Sequence, residues 1–186
     1  NDGSYGVGAI SQLYNDGDVT DNHGTVDYWV MKLDLSGNII WQRSLGGFAS
    51  DNMTCINATS DGGMIGIGFV LSVNTGNITG SHSPGDYWVV KLTSSGFLEW
   101  QKSLGGNSLD YGYCVAQTSD FGYIVAGYTD SNNSGDVGNN PNASFLYAGW
   151  VIKLEPDPLP VKLVTFDAYS KDQDVICNWQ TSQEQN

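Results

Sequence analysis

The sequence predicts an all-β fold built from four-stranded units on a 59-residue period, and three observations lead to it. Shifting the chain by 59 residues lays Asp27-Tyr28-Trp29-Val30 on Asp86-Tyr87-Trp88-Val89, Lys32-Leu33 on Lys91-Leu92, Trp41-Gln42 on Trp100-Gln101 and Ser44-Leu45-Gly46-Gly47 on Ser103-Leu104-Gly105-Gly106. Between Asp27 and Gly68, 22 of 42 positions are identical without a gap, which marks an internal repeat. Apolar and polar residues alternate in short runs, and no run carries helical periodicity. The composition agrees: 24 Gly, 12% aromatic and only 15% charged residues suit short strands joined by tight turns.

Each copy reads as four strands in order. The first runs from Tyr28 to Leu33, with Trp29, Met31 and Leu33 on one face and Tyr28, Val30 and Lys32 on the other. A turn containing Ser36-Gly37 leads to the second, Asn38 to Leu45. The third runs from about Met53 to Thr59. Ser60-Asp61-Gly62-Gly63 then has hairpin chemistry, because Asp and Gly accept positive φ cheaply. The fourth strand is Met64 to Val70. Partial copies flank the full ones: Asp2-Gly3 matches Asp61-Gly62, and Trp150 to Leu154 matches Trp88 to Leu92. The predicted organisation is a partial unit 1–26, units 27–85 and 86–148, the first strand of a further copy at 149–155, a linker 156–160, and the start of a separate β-sandwich-like region at 161–186.

Four short strands on a fixed period fit the blades of a β-propeller. Apolar residues on both faces of the first strand imply that both faces are buried between neighbours. The connections Leu71 to Gly85 and Asp130 to Gly149 are long, as a crossing from the outer strand of one blade to the inner strand of the next would be. On that logic the Tyr-Trp-Val-x-Lys-Leu strand is innermost and lines the channel. Ten strands are too few to close a ring of about four to eight four-stranded blades. The expected assembly is therefore an incomplete ring, with Trp150 to Leu154 unpaired or at an edge.

The string Asp86-Tyr87-Trp88-Val89-Val90-Lys91-Leu92, then Gly96, Trp100-Gln101-Lys102, Gly105-Gly106 and Asp110, together with Ser60-Asp61-Gly62-Gly63, resembles a repeat family of secreted bacterial and archaeal surface proteins. The resemblance covers residues 1 to about 155 and implies a β-propeller fold, related to quinoprotein-like and lectin-like repeats, at the cell surface. Leu159 to Ala168, with Cys177-Asn178-Trp179-Gln180-Thr181-Ser182, resembles the Ig- or fibronectin-like region that precedes the sorting signal of type IX secretion cargo. That second resemblance implies export to the surface or medium, with the type IX machinery as a partner through a C-terminal signal.

Charge excludes some partners. Twenty acidic against seven basic residues leave a net charge of −13, which repels nucleic-acid phosphates and anionic membrane alike. No run approaches the apolar length of a spanning helix. Three cysteines are too few for a disulfide scaffold. Cys55 and Cys114 occupy the same place in successive copies, where neighbouring units are expected to hold them too far apart for a bond, as small packing residues. Cys177 stands alone, and no Cys/His metal spacing occurs.

The best metal candidate is the loop from Asp16 to Asn22, where Asp16, Asp18 and Asp21 flank a tight Gly17 in a manner suited to Ca²⁺. The equivalent segment Asn74-Thr75-Gly76-Asn77 lacks both carboxylates, so Asx turns are the competing reading. Asp51, Asp61, Asp110 and Asp120 recur with the repeat, as do Lys32, Lys91, Lys153, Arg43 and Lys102, which points to turn capping and ion pairing. His23 and His82 are likewise equivalent and read as loop hydrogen-bonding groups. No residue is assigned a catalytic role. Trp29, Trp88, Trp150, Trp41 and Trp100 read as packing between units. Sugar stacking would fall to aromatics placed in loops, Tyr14, Tyr111, Tyr113, Phe145 and Tyr147.

The function expected from these features is a non-catalytic binding, adhesion or scaffold module that meets a protein or glycan at the cell surface. The competing expectation is an accessory propeller region of an exported, carbohydrate-active hydrolase. A quinoprotein-like oxidoreductase would need a cradle of unique polar residues, which near-identical repeats do not supply. No cofactor is expected beyond the candidate calcium.

Overall fold

The computed structural model describes residues 3–12, 15, 17–140 and 147–156, and the backbone of Leu163–Lys171 and Asp174–Thr181. The chain divides into two compact units, 1–155 and 156–186. The first is all-β and antiparallel, with ten strands in three sheets among its described residues. Sheet one holds β1 (Tyr5–Gln12), β2 (Val26–Leu33) and β3 (Ile39–Leu45) in that order. Sheet two holds β4 (Asp51–Ala58), β5 (Met64–Val70), β6 (Asp86–Leu92) and β7 (Leu98–Leu104). Sheet three holds β8 (Asp110–Gln117), β9 (Tyr123–Thr129) and β10 (Ala148–Leu154). In the second unit, β11 (Leu163–Lys171) and β12 (Asp174–Thr181) form an antiparallel pair with a register shift between Leu163 and Thr165.

The strand lengths follow the alternation in the sequence and the hairpin at Ser60 to Gly63 joins β4 to β5 as expected, but the longer connection is used differently. The Tyr-Trp-Val strand is not innermost. Residues 71–85 return the chain beside the strand it has just left, so β6 pairs with β5 from Met64↔Leu92 to Val70↔Asp86. Gly85 closes this return by donating its N–H to the Val70 carbonyl at 2.7 Å. Sheet two therefore combines the last two strands of one copy with the first two of the next, while sheet one holds one last strand with two first strands and sheet three two last strands with one first strand. The change of sheet falls on the short segments 46–50 and 105–109. There the Gly pair is dictated by space: a Cβ on Gly46 would overlap the Asp27 and Asp51 carboxylates, and one on Gly105 would lie 2.6 Å from those of Asp86 and Asp110. Among the described strands no ring closes, because β1 pairs with β2 and β10 with β9.

The sheets stack so that both faces of sheet two are buried. β4 lies against β1 and β2, and β8 against β4, β5 and β6. Tyr28, Val30 and Leu45 pack on Met64, Val70, Trp88, Val90 and Leu92. One copy later, Tyr87, Val89 and Leu104 pack with Ile65 and Ile67 against Val115, Tyr123, Val125 and Leu154. The Tyr28 and Trp88 rings meet at 4.8 Å and 56°, and the Tyr87 and Trp150 rings at 5.0 Å and 58°. Each of these tyrosines donates its hydroxyl hydrogen to the carbonyl of the tryptophan it touches, at 3.2 Å. Every residue of β6 is buried, the charged Asp86 and Lys91 included, which is why the run between them reads as continuous hydrophobicity.

Candidate functional site

The residues that recur with the repeat serve the fold. Asp51 accepts the Gly47 N–H at 2.7 Å and the Ser72 hydroxyl at 2.8 Å. Asp110 accepts the Gly106 N–H at 2.8 Å, the Ser131 hydroxyl at 3.0 Å and the Thr129 hydroxyl. Asp27 and Asp86 accept the backbone N–H of His23 at 2.5 Å and of His82 at 2.7 Å, with the imidazoles at 3.3 and 3.4 Å. Burial raises the Asp27, Asp86 and Asp110 carboxyls above their ordinary value. The facing Asp51 and Asp110 add to the rise at Asp27 and Asp86 respectively.

The two clusters differ at one acid: Asp136 stands where the first has Asn77. Both do the same work, accepting a glycine N–H at 3.2 Å (Gly46 to Asn77) and 3.3 Å (Gly105 to Asp136). Asp61 and Asp120, by contrast, take lysines. Lys91 Nζ lies 2.6 Å from Asp61 and 3.0 Å from Glu99, and Lys153 Nζ lies 2.9 Å from Asp120. Arg43 sits over the Phe97 ring at 5.3 Å.

Of the calcium candidates, Asp16 lies outside the described residues. Asp18 offers its backbone carbonyl to Gln42, and Asp21 adopts a φ of +61°. Among the described residues no group of three or more acidic, His or Cys side chains is arranged to hold a metal. A shallow depression of about 410 Å³ is lined by Ser4, Asp34, Leu35, Ser36 and Ile40, with Asp34 its single titratable group. The Asp34 carboxyl is held low chiefly by hydrogen bonds from Asn38.

The feature that does not recur is aromatic. Tyr111 and Tyr113 were expected in a loop, but both belong to β8. The register of β8 against β9 shifts between Gly112 and Cys114, so Tyr113 is the extra residue of a bulge with no cross-strand partner. Tyr111 pairs with Tyr128 and stacks on it, centroids 5.0 Å apart at 23°. Tyr113 approaches the same Tyr128 ring at 5.6 Å and 52°. Tyr147, in the left-handed region at φ +57°, donates its N–H to Asp130 at 2.8 Å and sets its ring edge-on to Tyr128 at 4.5 Å. Phe69, at the end of β5, extends the row by meeting Tyr111 at 4.2 Å. Five rings are thus contiguous, and Tyr113 and Tyr147 are 54% and 53% exposed. Burial raises the Tyr128 phenol well above its ordinary value, helped by Tyr113, Tyr111, Tyr147 and Asp130, so its hydroxyl stays protonated.

Tyr14 and Phe145 lie outside the described residues. Phe69 and Tyr128 were not anticipated from the sequence. These two stand one repeat apart, and the departure from the repeat lies in the tyrosines beside them: the positions of Tyr111 and Tyr113 are Asn52 and Thr54 in the preceding copy. No helix among the described residues is long and apolar enough to cross a membrane. Compared with known proteins, the sequence matches no protein-family model, and no curated protein matches it significantly.

Proposed function

We propose that this chain is a non-catalytic binding module of a secreted or cell-surface protein, an arc of β-propeller blades whose Tyr113, Tyr128 and Tyr147 form a stacking platform for a glycan. One observation carries the reading: the contiguous row of aromatic rings that departs from the repeat and leaves two tyrosines half open to solvent. Sugar rings present flat C–H faces to such rings, and phenol hydroxyls can bond the hydroxyls at their edge. The platform is braced from behind, since Tyr111 stacks between Phe69 and Tyr128, and a preorganised surface loses little freedom on binding. The repeat-borne acids and lysines support a non-catalytic reading, because their contacts are used in holding turns and sheet junctions.

The test is affinity electrophoresis and calorimetry against soluble neutral polysaccharides. Binding by the intact chain is expected, with at least a tenfold loss for Tyr113→Ala and for Tyr147→Ala. Tyr5→Ala removes an equally exposed tyrosine from sheet one and should leave binding unchanged. Equal binding by all three variants would defeat the platform, as would no retardation by any polysaccharide.

A further inference from the structure

Cys55 and Cys114 were expected to lie too far apart to interact, and the stacking of the sheets brings their Sγ atoms to 4.0 Å. Each follows an irregularity in its strand, a register shift between Met53 and Cys55 in β4 and between Gly112 and Cys114 in β8. The backbones are tied together on both sides of the pair. Thr54 Oγ1 donates to the Gly112 carbonyl at 2.7 Å, and Asn57 Nδ2 donates to the Val115 carbonyl at 2.5 Å. Neither thiol is sealed in the core: Cys114 is exposed and Cys55 partly so. Cys55 packs against the core between sheets two and three, but the exposed Cys114 does not, so packing alone does not account for the pair.

We propose that Cys55 and Cys114 form an intramolecular disulfide that staples sheet two to sheet three. A disulfide needs its sulfurs about 2.05 Å apart, and rotating one thiol between staggered χ1 wells moves its sulfur by roughly 3 Å. The remaining gap is thus within reach of a side-chain rotation, with the flanking hydrogen bonds intact.

The oxidant is a low-molecular-weight disulfide, such as oxidised glutathione. The Cys114 thiolate, the more accessible of the two, attacks one of its sulfurs, forming a mixed disulfide and expelling one thiolate. The Cys55 thiolate then attacks Cys114 Sγ, the protein S–S bond forms, and the second thiolate leaves. The two protons given up by the cysteines end on the two released thiols, and the two electrons reduce the oxidant. Burial, and then the neighbouring Cys55, raise the Cys114 thiol above its ordinary value, so the exchange should quicken toward alkaline pH.

The experiment equilibrates the whole chain with excess oxidised glutathione, alkylates the remaining thiols, and maps linked peptides by mass spectrometry beside a thermal melt. The expected result is a Cys55–Cys114 cross-linked peptide, with Cys177 outside the linkage as a free thiol or its glutathione adduct. The linkage closes a span of 59 residues, so the oxidised chain should melt on the order of 10 °C above the reduced chain. Cys55→Ser and Cys114→Ser should each melt like the reduced wild type and show no oxidant-dependent rise. The reduced wild type provides the same baseline should either variant fold poorly. Full alkylation of both residues after equilibration would overturn the proposal, as would a stable glutathione adduct on Cys114 or a linkage to Cys177. None of these readouts depends on glycan binding.

Discussion

The clearest quantitative expectation concerns two lysines at the same place in successive copies. Lys91 on β6 has a side chain only 2% exposed, whereas Lys153 on β10 is 38% exposed. Lys91 Nζ bonds Asp61 at 2.6 Å, Glu99 at 3.0 Å and the Leu92 carbonyl at 3.1 Å. Lys153 Nζ makes the corresponding contact with Asp120 at 2.9 Å and bonds the Leu154 carbonyl at 3.2 Å. Lys91→Ala removes three buried methylenes, about 2.4 kcal/mol of transfer free energy at about 0.8 kcal/mol each. It also removes two charge-assisted bonds. The carboxylates left behind are about half exposed and rehydrate, which limits that loss to about 1 kcal/mol. The total is about 3–4 kcal/mol, or a fall of roughly 10 °C in Tm for a chain of this size. Lys91→Met keeps the stem and should cost about 1 kcal/mol. Lys153→Ala removes a half-open pair and should cost less than about 1 kcal/mol. Thermal unfolding followed by near-ultraviolet circular dichroism of the three variants tests the set. Equal shifts for Lys91→Ala and Lys153→Ala would refute the premise that burial sets Lys91 apart from Lys153.

Two further outcomes follow from the same packing. Burial raises the Asp86 carboxyl, so the folded state holds that proton more tightly than the unfolded chain, and its contribution to stability declines as pH rises through the folded value. Asp86→Asn, which keeps an acceptor for the His82 N–H, should therefore gain on the wild type in Tm from the ordinary carboxyl value of 3.8 toward neutrality; a constant or shrinking difference would count against it. On the outer face of sheet three, Val151 and Ile124 are 63% and 40% exposed, while Val89 and Ile65 at the matching positions of sheet two are fully buried. Such a face should drive concentration-dependent association in light scattering, reduced by Val151→Asp, and a monomer at every concentration would argue otherwise.

Strands and their faces were legible in the sequence because alternation is a local property. A residue at Trp29 and one at Val30 point opposite ways whatever the rest of the chain does, and the shift of 59 residues multiplied that evidence. The recurring aspartates were legible as structural because each occupies the same place in successive copies.

The hairpin at Ser60 to Gly63 was legible from its turn, but which strands lie beside each other across the longer connections was not. A long connection such as 71–85 can cross to a new sheet or fold back beside the old one, and only the hydrogen bonds of β5 with β6 chose the second. The spacing between stacked sheets is likewise a property of the whole packing. It put Cys55 beside Cys114, buried Lys91 while leaving Lys153 open, and gathered Phe69 and Tyr128 with tyrosines that the sequence had scattered. Local pattern decides what a strand can bury, and contacts remote in sequence decide which neighbour buries it.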